Sequence, residues 1–159
     1  MREKHDGMLD RSSSVRLWLR LLSCTMVIEK QVRRGLSDGF GTTLPRFDVL
    51  AALDRHPEGM MMGALSSSLL VSNGNVTALV QKLVRDGYVA LDPSPADRRA
   101  SVAILTPSGK SHFATLARSH HRWIEAMMSD LSPNQKELLY DLLGALKVSI
   151  AHADLDKMS

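Results

Sequence analysis

The stretch SNGNVTALVQKLVRDG, from Ser72 to Gly87, most narrows what this chain can fold into. Its apolar residues Val76, Leu79, Val80, Leu83 and Val84 recur at helical spacing and line one face of an amphipathic helix. Ser72 can cap the start, its hydroxyl accepting a hydrogen bond from a first-turn backbone N–H. Gly87 can end the helix in the left-handed conformation that suits glycine. The opposite face carries Asn73, Thr77, Gln81 and Arg85. A face that meets only water is usually rich in Lys and Glu. Asn and Gln can instead pair with an adenine edge, and a Thr methyl can touch the thymine methyl. Gly74 costs about 1 kcal/mol against Ala in a helix, and makes sense where another surface approaches the backbone. Taken alone, the stretch also fits an ordinary surface helix with a polar face.

The residues after Gly87 favour a helix that reads DNA. Tyr88 to Leu91 forms a short strand by its pattern, and Ser101 to Leu105 a second. Between them, Asp92-Pro93-Ser94-Pro95-Ala96-Asp97 is a turn-rich connection that excludes helix and central strand. Arg98 and Arg99 stand at its far side. A helix followed by a β-hairpin with arginines near its tip is a recognition helix with a wing. A narrow minor groove concentrates negative potential that such an arginine can enter. The alternative for the two arginines is a solvated turn.

The run Gly87-Tyr88-Val89, then Asp97-Arg98-Arg99, then Ile104-Leu105-Thr106 with Gly109 three residues on, resembles the winged-helix core of the MarR family of bacterial transcriptional regulators. The resemblance extends from about Leu44 to about Phe113, with compatible helices on both sides. It implies a mainly α fold with a small β-hairpin wing, in which Arg99 enters the minor groove, Asp97 holds it, and Arg98 meets a phosphate. It also implies a small-molecule effector, an aromatic acid or aromatic acyl-CoA, bound between the helical region and the DNA lobe. Two positions depart from the family pattern. Leu91-Asp92 and Ser66-Ser67-Ser68 stand where basic residues are frequent, which removes potential phosphate contacts.

The rest of the chain is compatible. Its 159 residues allow one ordinary domain with its own core, and 44% hydrophobic with 23% charged residues is the balance of a folded soluble protein. A net charge of +3 suits a polyanionic partner without requiring one. Aromatic content of 4% argues against binding single strands by base stacking. A lone cysteine, Cys24, excludes an intrachain disulfide, and the N-terminus lacks the apolar core of a signal peptide. No stretch is long and apolar enough to span a bilayer. A cytoplasmic protein with no membrane contact is expected.

Taken in order, residues 1–43 hold a polar start, a long helix from about Arg11 to Arg34, and a loop over Gly35–Thr43. The helix carries two apolar stripes, Trp18, Leu21, Ile28, Val32 and Val15, Leu19, Leu22, Met26, so it is expected to be covered on two sides. Residues 44–106 form the DNA-binding lobe. Thr43 and Pro45 open a helix that buries Leu44, Phe47, Leu50 and Ala51, and a short helix from Met61 to Leu70 precedes the recognition helix. In residues 107–159, Thr106-Pro107 and Ser132-Pro133 open two more helices. The last carries Leu138, Leu142, Leu146 and Ile150, with Leu139 and Leu143 beside them. Both chain ends are more apolar than one small lobe needs, which predicts a homodimer reading palindromic double-stranded DNA.

Site residues can be assigned on this basis. Asn73, Asn75, Thr77 and Gln81 are the candidates for base edges, Lys82 and Arg85 with the helix N-terminus are those for phosphates, Ser72 at that N-terminus belongs to the same DNA-binding set, and Asp97, Arg98 and Arg99 serve the wing. The effector cleft is expected to be lined by Trp18, Leu22, Arg46, Phe47, Leu50, His112 and Leu116, with Arg46 as partner for an acidic group. Arg46 equally fits a surface position or a DNA-backbone contact. Cys24 sits between Leu22 and Met26 and is expected to pack as a buried side chain, with redox sensing as the alternative. His112, His120 and His121 lack metal-ligand spacing, and Met60-Met61-Met62 are expected to fill core gaps. No metal, cofactor or catalytic constellation is expected. The reading is a non-enzymatic regulator, a repressor released by its effector. Its rival from another class is a winged-helix protein-interaction module without specific DNA binding.

Overall fold

A computed structural model of the chain describes residues 13–69, 73–93 and 101–153. These residues form α1 (Ser13–Phe40), α2 (Leu44–Asp54), β1 (Met60–Met61), α3 (Met62–Leu69), α4 (Asn73–Arg85), β2 (Val89–Pro93), β3 (Ser101–Leu105), α5 (Pro107–Met127) and α6 (Pro133–His152). They divide into two compact units at Trp123–Ile124. The mainly helical class with a small sheet is as expected.

In the first unit, α2, α3, α4 and the sheet enclose a core of Leu50, Leu53, Leu65, Val76, Val80, Leu83, Val89 and Ala103, all essentially removed from water. The sheet is antiparallel with strand order β1-β3-β2. Val89 pairs with Leu105 and Leu91 with Ala103, which sets the hairpin register. Pro93 ends β2 on a sheet edge, where its missing N–H leaves no ladder bond unmade.

Several expectations need correction. The wing hairpin is extended to three strands by Met60 and Met61, which pair with Ala103 and Val102. These methionines are strand residues rather than core fillers, and Met61 is exposed. Helix α1 does not stop at Arg34 but runs on through Gly35 to Phe40. Gly35 lies under the ring of Trp123, where an added Cβ would stand 2.7 Å from ring atoms, so glycine permits helix contact rather than breaking the helix. The buried Leu36 anchors the extra turn, Arg34 and Asp38 pair across it, and Gly41 with φ +59° ends it. Helix α2 buries Val49, Ala52 and Leu53 as well as Phe47 and Leu50, while Leu44 and Ala51 are half-buried. Thr43 occupies its N-cap without a side-chain hydrogen bond. Cys24 is exposed, not buried, because no residue of α1 before Val32 is buried, so this part of the helix has no core to pack into among the described residues.

In the second unit, Ser132 caps α6 in a reciprocal capping box with Gln135, as the Ser-Pro signal predicts. Lys136 pairs with Glu125 at 3.3 Å. No residue of α6 is buried.

Candidate nucleic-acid interface

Helix α4 presents two unlike faces. Val76, Val80 and Leu83 are fully buried, while Gly74, Asn75, Thr77, Gln81, Lys82 and Arg85 are exposed. The buried face fixes the helix, so its polar face is held on a rigid support. Lys82 and Arg85 sit in the last turn, where cations meet the negative end of the helix dipole. Around Gly74 none of the described residues lies within 4 Å of an added Cβ, which leaves room for a close approach to the backbone. Asn73 opens the helix. Ser72, Asp97, Arg98 and Arg99 lie outside the described residues.

The end of α4 is closed with unusual completeness. Gly87 adopts φ +77°, its N–H donates to the Val84 carbonyl, and the Tyr88 N–H donates to the Leu83 carbonyl. This is a Schellman stop, which satisfies carbonyls that the helix leaves unpaired. The chain then fastens to the start of α5. The Thr106 hydroxyl donates to the Gly87 carbonyl at 2.7 Å and accepts from the Gly109 N–H at 2.9 Å, so one side chain both caps α5 and holds the end of α4. The Thr106 N–H donates to the Tyr88 carbonyl at 3.1 Å. Gly109 is buried against that same carbonyl, and any Cβ there would overlap it. The Leu-Thr-x-x-Gly run, legible as a motif, is therefore a joint between two helices.

Beside this joint, the Tyr88 and His112 rings stack in parallel, 4.1 Å apart and 2° from coplanar. Arg46 of α2 makes an ion pair with Asp86, the residue after α4. The Arg46 side chain is only 11% exposed, and its Nε is buried without an acceptor among the described residues. Burial holds the His112 imidazole below its ordinary range. Arg46 pushes it further down and Asp86 pulls it back.

Of the proposed cleft residues, Arg46, Phe47 and His112 fall in this neighbourhood. Phe47 packs on Phe113 at 5.5 Å and on His120 at 4.9 Å. Leu50 and Leu116 are fully buried and belong to the core, while Trp18 and Leu22 are exposed on α1.

A sequence profile of the MarR family matches residues 40–100. The transcriptional activatory protein BadR of Rhodopseudomonas palustris is 34% identical over 122 residues, which span 75% of this chain and 69% of BadR. The chain belongs to the MarR family. A MarR family transcriptional regulator from Silicibacter pomeroyi is 33% identical with a TM-score of 0.74, covering 90% of this chain and 99% of that one. Sco3205, a MarR family regulator of Streptomyces coelicolor solved in complex with DNA, matches with a TM-score of 0.76 over 90% of this chain and 91% of that one. At 19% identity that match speaks for the fold alone.

Membership makes this MarR-family chain a transcriptional regulator and not an enzyme. Sequence reasoning missed Asp86, Tyr88 and the structural role of Gly109. Gly109 carried a signal, since a glycine three residues after a helix-capping Thr asks for a close neighbour. Asp86 carried none that a local reading can weigh.

Proposed function

We propose that the protein binds a palindromic double-stranded DNA site as a homodimer in the cytoplasm, represses from it, and is released by a small acidic effector. The observation that carries this reading is the exposed Asn75, Thr77, Gln81, Lys82 and Arg85 face of α4 over an apolar face whose Val76, Val80 and Leu83 are fully buried. Amide and hydroxyl groups on such a support can read base edges, while Lys82 and Arg85 meet phosphates. The wing residues Asp97, Arg98 and Arg99 extend the contact to the minor groove.

Dimerisation is supported by apolar side chains left open at both chain ends. Leu17, Trp18 and Met26 on α1 are exposed, as are Leu138, Leu142 and Ile150 on α6. Each helix on its own leaves more large apolar side chains uncovered than a soluble monomer usually does. The effector is an aromatic acid or its coenzyme A thioester, and Arg46, with its unpaired buried Nε, is the cation that receives its acidic group. Phe47 and His112 supply aromatic contact. Whether a bound regulator represses depends on where its site lies relative to the promoter. BadR is named as an activatory protein, so the fold serves either outcome.

The test is selection of genomic duplex fragments by the purified protein at about 150 mM salt, where nonspecific contacts weaken steeply. One enriched palindrome is expected, together with a dimer in sedimentation. Uniform retention by a folded protein would overturn the reading.

A further inference from the structure

Asp86 is a poor choice for its position. It follows the last turn of α4, at the negative end of the helix dipole, where a carboxylate is unfavourable. Its side chain is 37% exposed, so water does not fully shield it. A carboxylate close to a DNA-reading helix also repels the phosphate backbone. Both costs call for a compensating role.

Arg46 supplies it. The guanidinium comes from α2, 40 residues away in sequence, and its hydrogen bond goes to the Asp86 carboxylate. A guanidinium this buried is costly unless paired, so the two charges hold each other in place. The pair lies on the α2 side of the helix end, whereas the Gly87–Thr106–Gly109 joint fastens the same end to α5. The joint holds the chain just past the helix, at Gly87 and Tyr88, and the buried Val76, Val80 and Leu83 seat the helix on the core. The ion pair adds a charged tether from α2 at Asp86, which sets the rotation of the helix end more finely than apolar packing alone.

We propose that Arg46 is a positioning residue for the recognition helix. Through Asp86, it sets the orientation in which the Asn75, Thr77 and Gln81 face meets DNA. The inference rests on the proposed function as a DNA-binding regulator. It also gives an acidic effector a lever, because an effector carboxylate at Arg46 competes with Asp86 for the same guanidinium.

The test compares Asp86→Asn, Asp86→Glu and Arg46→Lys with the wild type, on the selected duplex and on a random one, across a salt series. If Asp86 acts only as a charge near DNA, Asp86→Asn strengthens binding to both duplexes. Positioning predicts the opposite sign. Asp86→Asn weakens binding to the selected duplex about tenfold, the scale of one lost charge-assisted hydrogen bond. Binding to the random duplex and the slope of affinity against salt stay as in the wild type. Asp86→Glu and Arg46→Lys, which keep the charges, recover most of the loss. Equal or tighter binding of the selected duplex by Asp86→Asn overturns the inference. So does a salt slope reduced by about one in Arg46→Lys with uniform loss on both duplexes, the mark of a direct phosphate contact. A wild type that prefers no duplex overturns the regulator reading and this inference with it. A wild type that selects a site, with variants that bind it equally, overturns the inference alone.

Discussion

Helices α4 and α6 carry similar apolar stripes and end up in opposite conditions. In α4, Val76, Val80 and Leu83 are completely buried. In α6 no residue is buried, and Leu138, Leu142 and Ile150 each stay around three-fifths exposed. The stripes have the same period, so periodicity states that a face is to be covered without saying by what. The α4 face is covered by the chain's own α2, α3 and sheet. The α6 face awaits a surface that one copy of the described residues does not provide.

Two substitutions would break this contrast most sharply. Val80→Asp puts a carboxylate among apolar side chains and is expected to cost 4 kcal/mol or more, about the upper range for single substitutions. Circular dichroism should show an unfolded or barely folded protein. Leu142→Glu makes a similar chemical change on α6 and is expected to leave the helical spectrum near that of the wild type. Its effect should appear in sedimentation, as a shift from dimer toward monomer, with DNA affinity falling in step. An unfolded Leu142→Glu protein would mean that the chain covers α6 itself.

Gly109→Ala tests whether the α4 end is a true joint. The added methyl overlaps the Tyr88 carbonyl, a backbone atom held by the Thr106 N–H, so neither side yields easily. A loss of about 2–4 kcal/mol is expected in thermal or denaturant unfolding. Gly35→Ala is the gentler control. Its new methyl meets the side chain of Trp123, which can shift, and the loss should be smaller. Equal losses would mean the joint is no stiffer than ordinary side-chain packing.

What was legible in the sequence, and what was not, divides along the same physical line. The α4 stripe, the Gly87 stop, the Thr106-Pro107 start and the Ser132 capping box are written in residues within a few positions of one another. Local hydrogen bonds and periodicity decide them. The continuation of α1 through Gly35 depends on Trp123, far along the chain, and a local reading takes the glycine for a break. The strand at Met60–Met61 is too short for any alternation and exists because β3 offers it a partner. The exposure of Cys24 depends on how much of α1 is covered, and the buried residues of that helix are Val32 and Leu36. The Arg46–Asp86 pair joins an α2 residue to the end of α4 and has no local signature. The exposure of Asn75, Thr77, Gln81, Lys82 and Arg85 on α4 was legible because their face is the complement of the apolar stripe. The burial of Leu50 and Leu116 against the exposure of Trp18 and Leu22 was not legible, since an apolar residue at helical spacing looks the same in sequence whether it is covered or open.

Gly74→Ala sets stability against function on one helix. The site is open in the free protein, so alanine should raise helix stability by up to about 1 kcal/mol and the melting temperature with it. If the bare backbone is there for DNA to approach, affinity for the selected duplex should fall several-fold in the same variant. A more stable protein with unchanged affinity would remove Gly74 from the interface and leave its helical cost without a purpose.

The smallest effect concerns pH and separates the lobe's histidines from its half-buried Asp48. Burial, then the Arg46 charge, hold the His112 pKa down, and burial, then His121, do the same to His120. A histidine with a lowered folded pKa contributes stability above its unfolded value, near 6.5, and loses it as pH falls through the folded value. Asp48 runs the other way. Burial raises its pKa, with Arg33 opposing and Glu29 adding, so its contribution is present at low pH and lost as pH rises through the folded value. Between pH 7.5 and 5.5 the two histidines should dominate, and the melting temperature should fall slightly. In the His112→Gln, His120→Gln double variant that fall should flatten. Asp48→Asn should raise stability at pH 7 and leave the histidine slope in place. A melting temperature that rises on acidification across this range would show that Asp48, and not His112 stacked on Tyr88 and His120 stacked on Phe47, controls the lobe's response to protons.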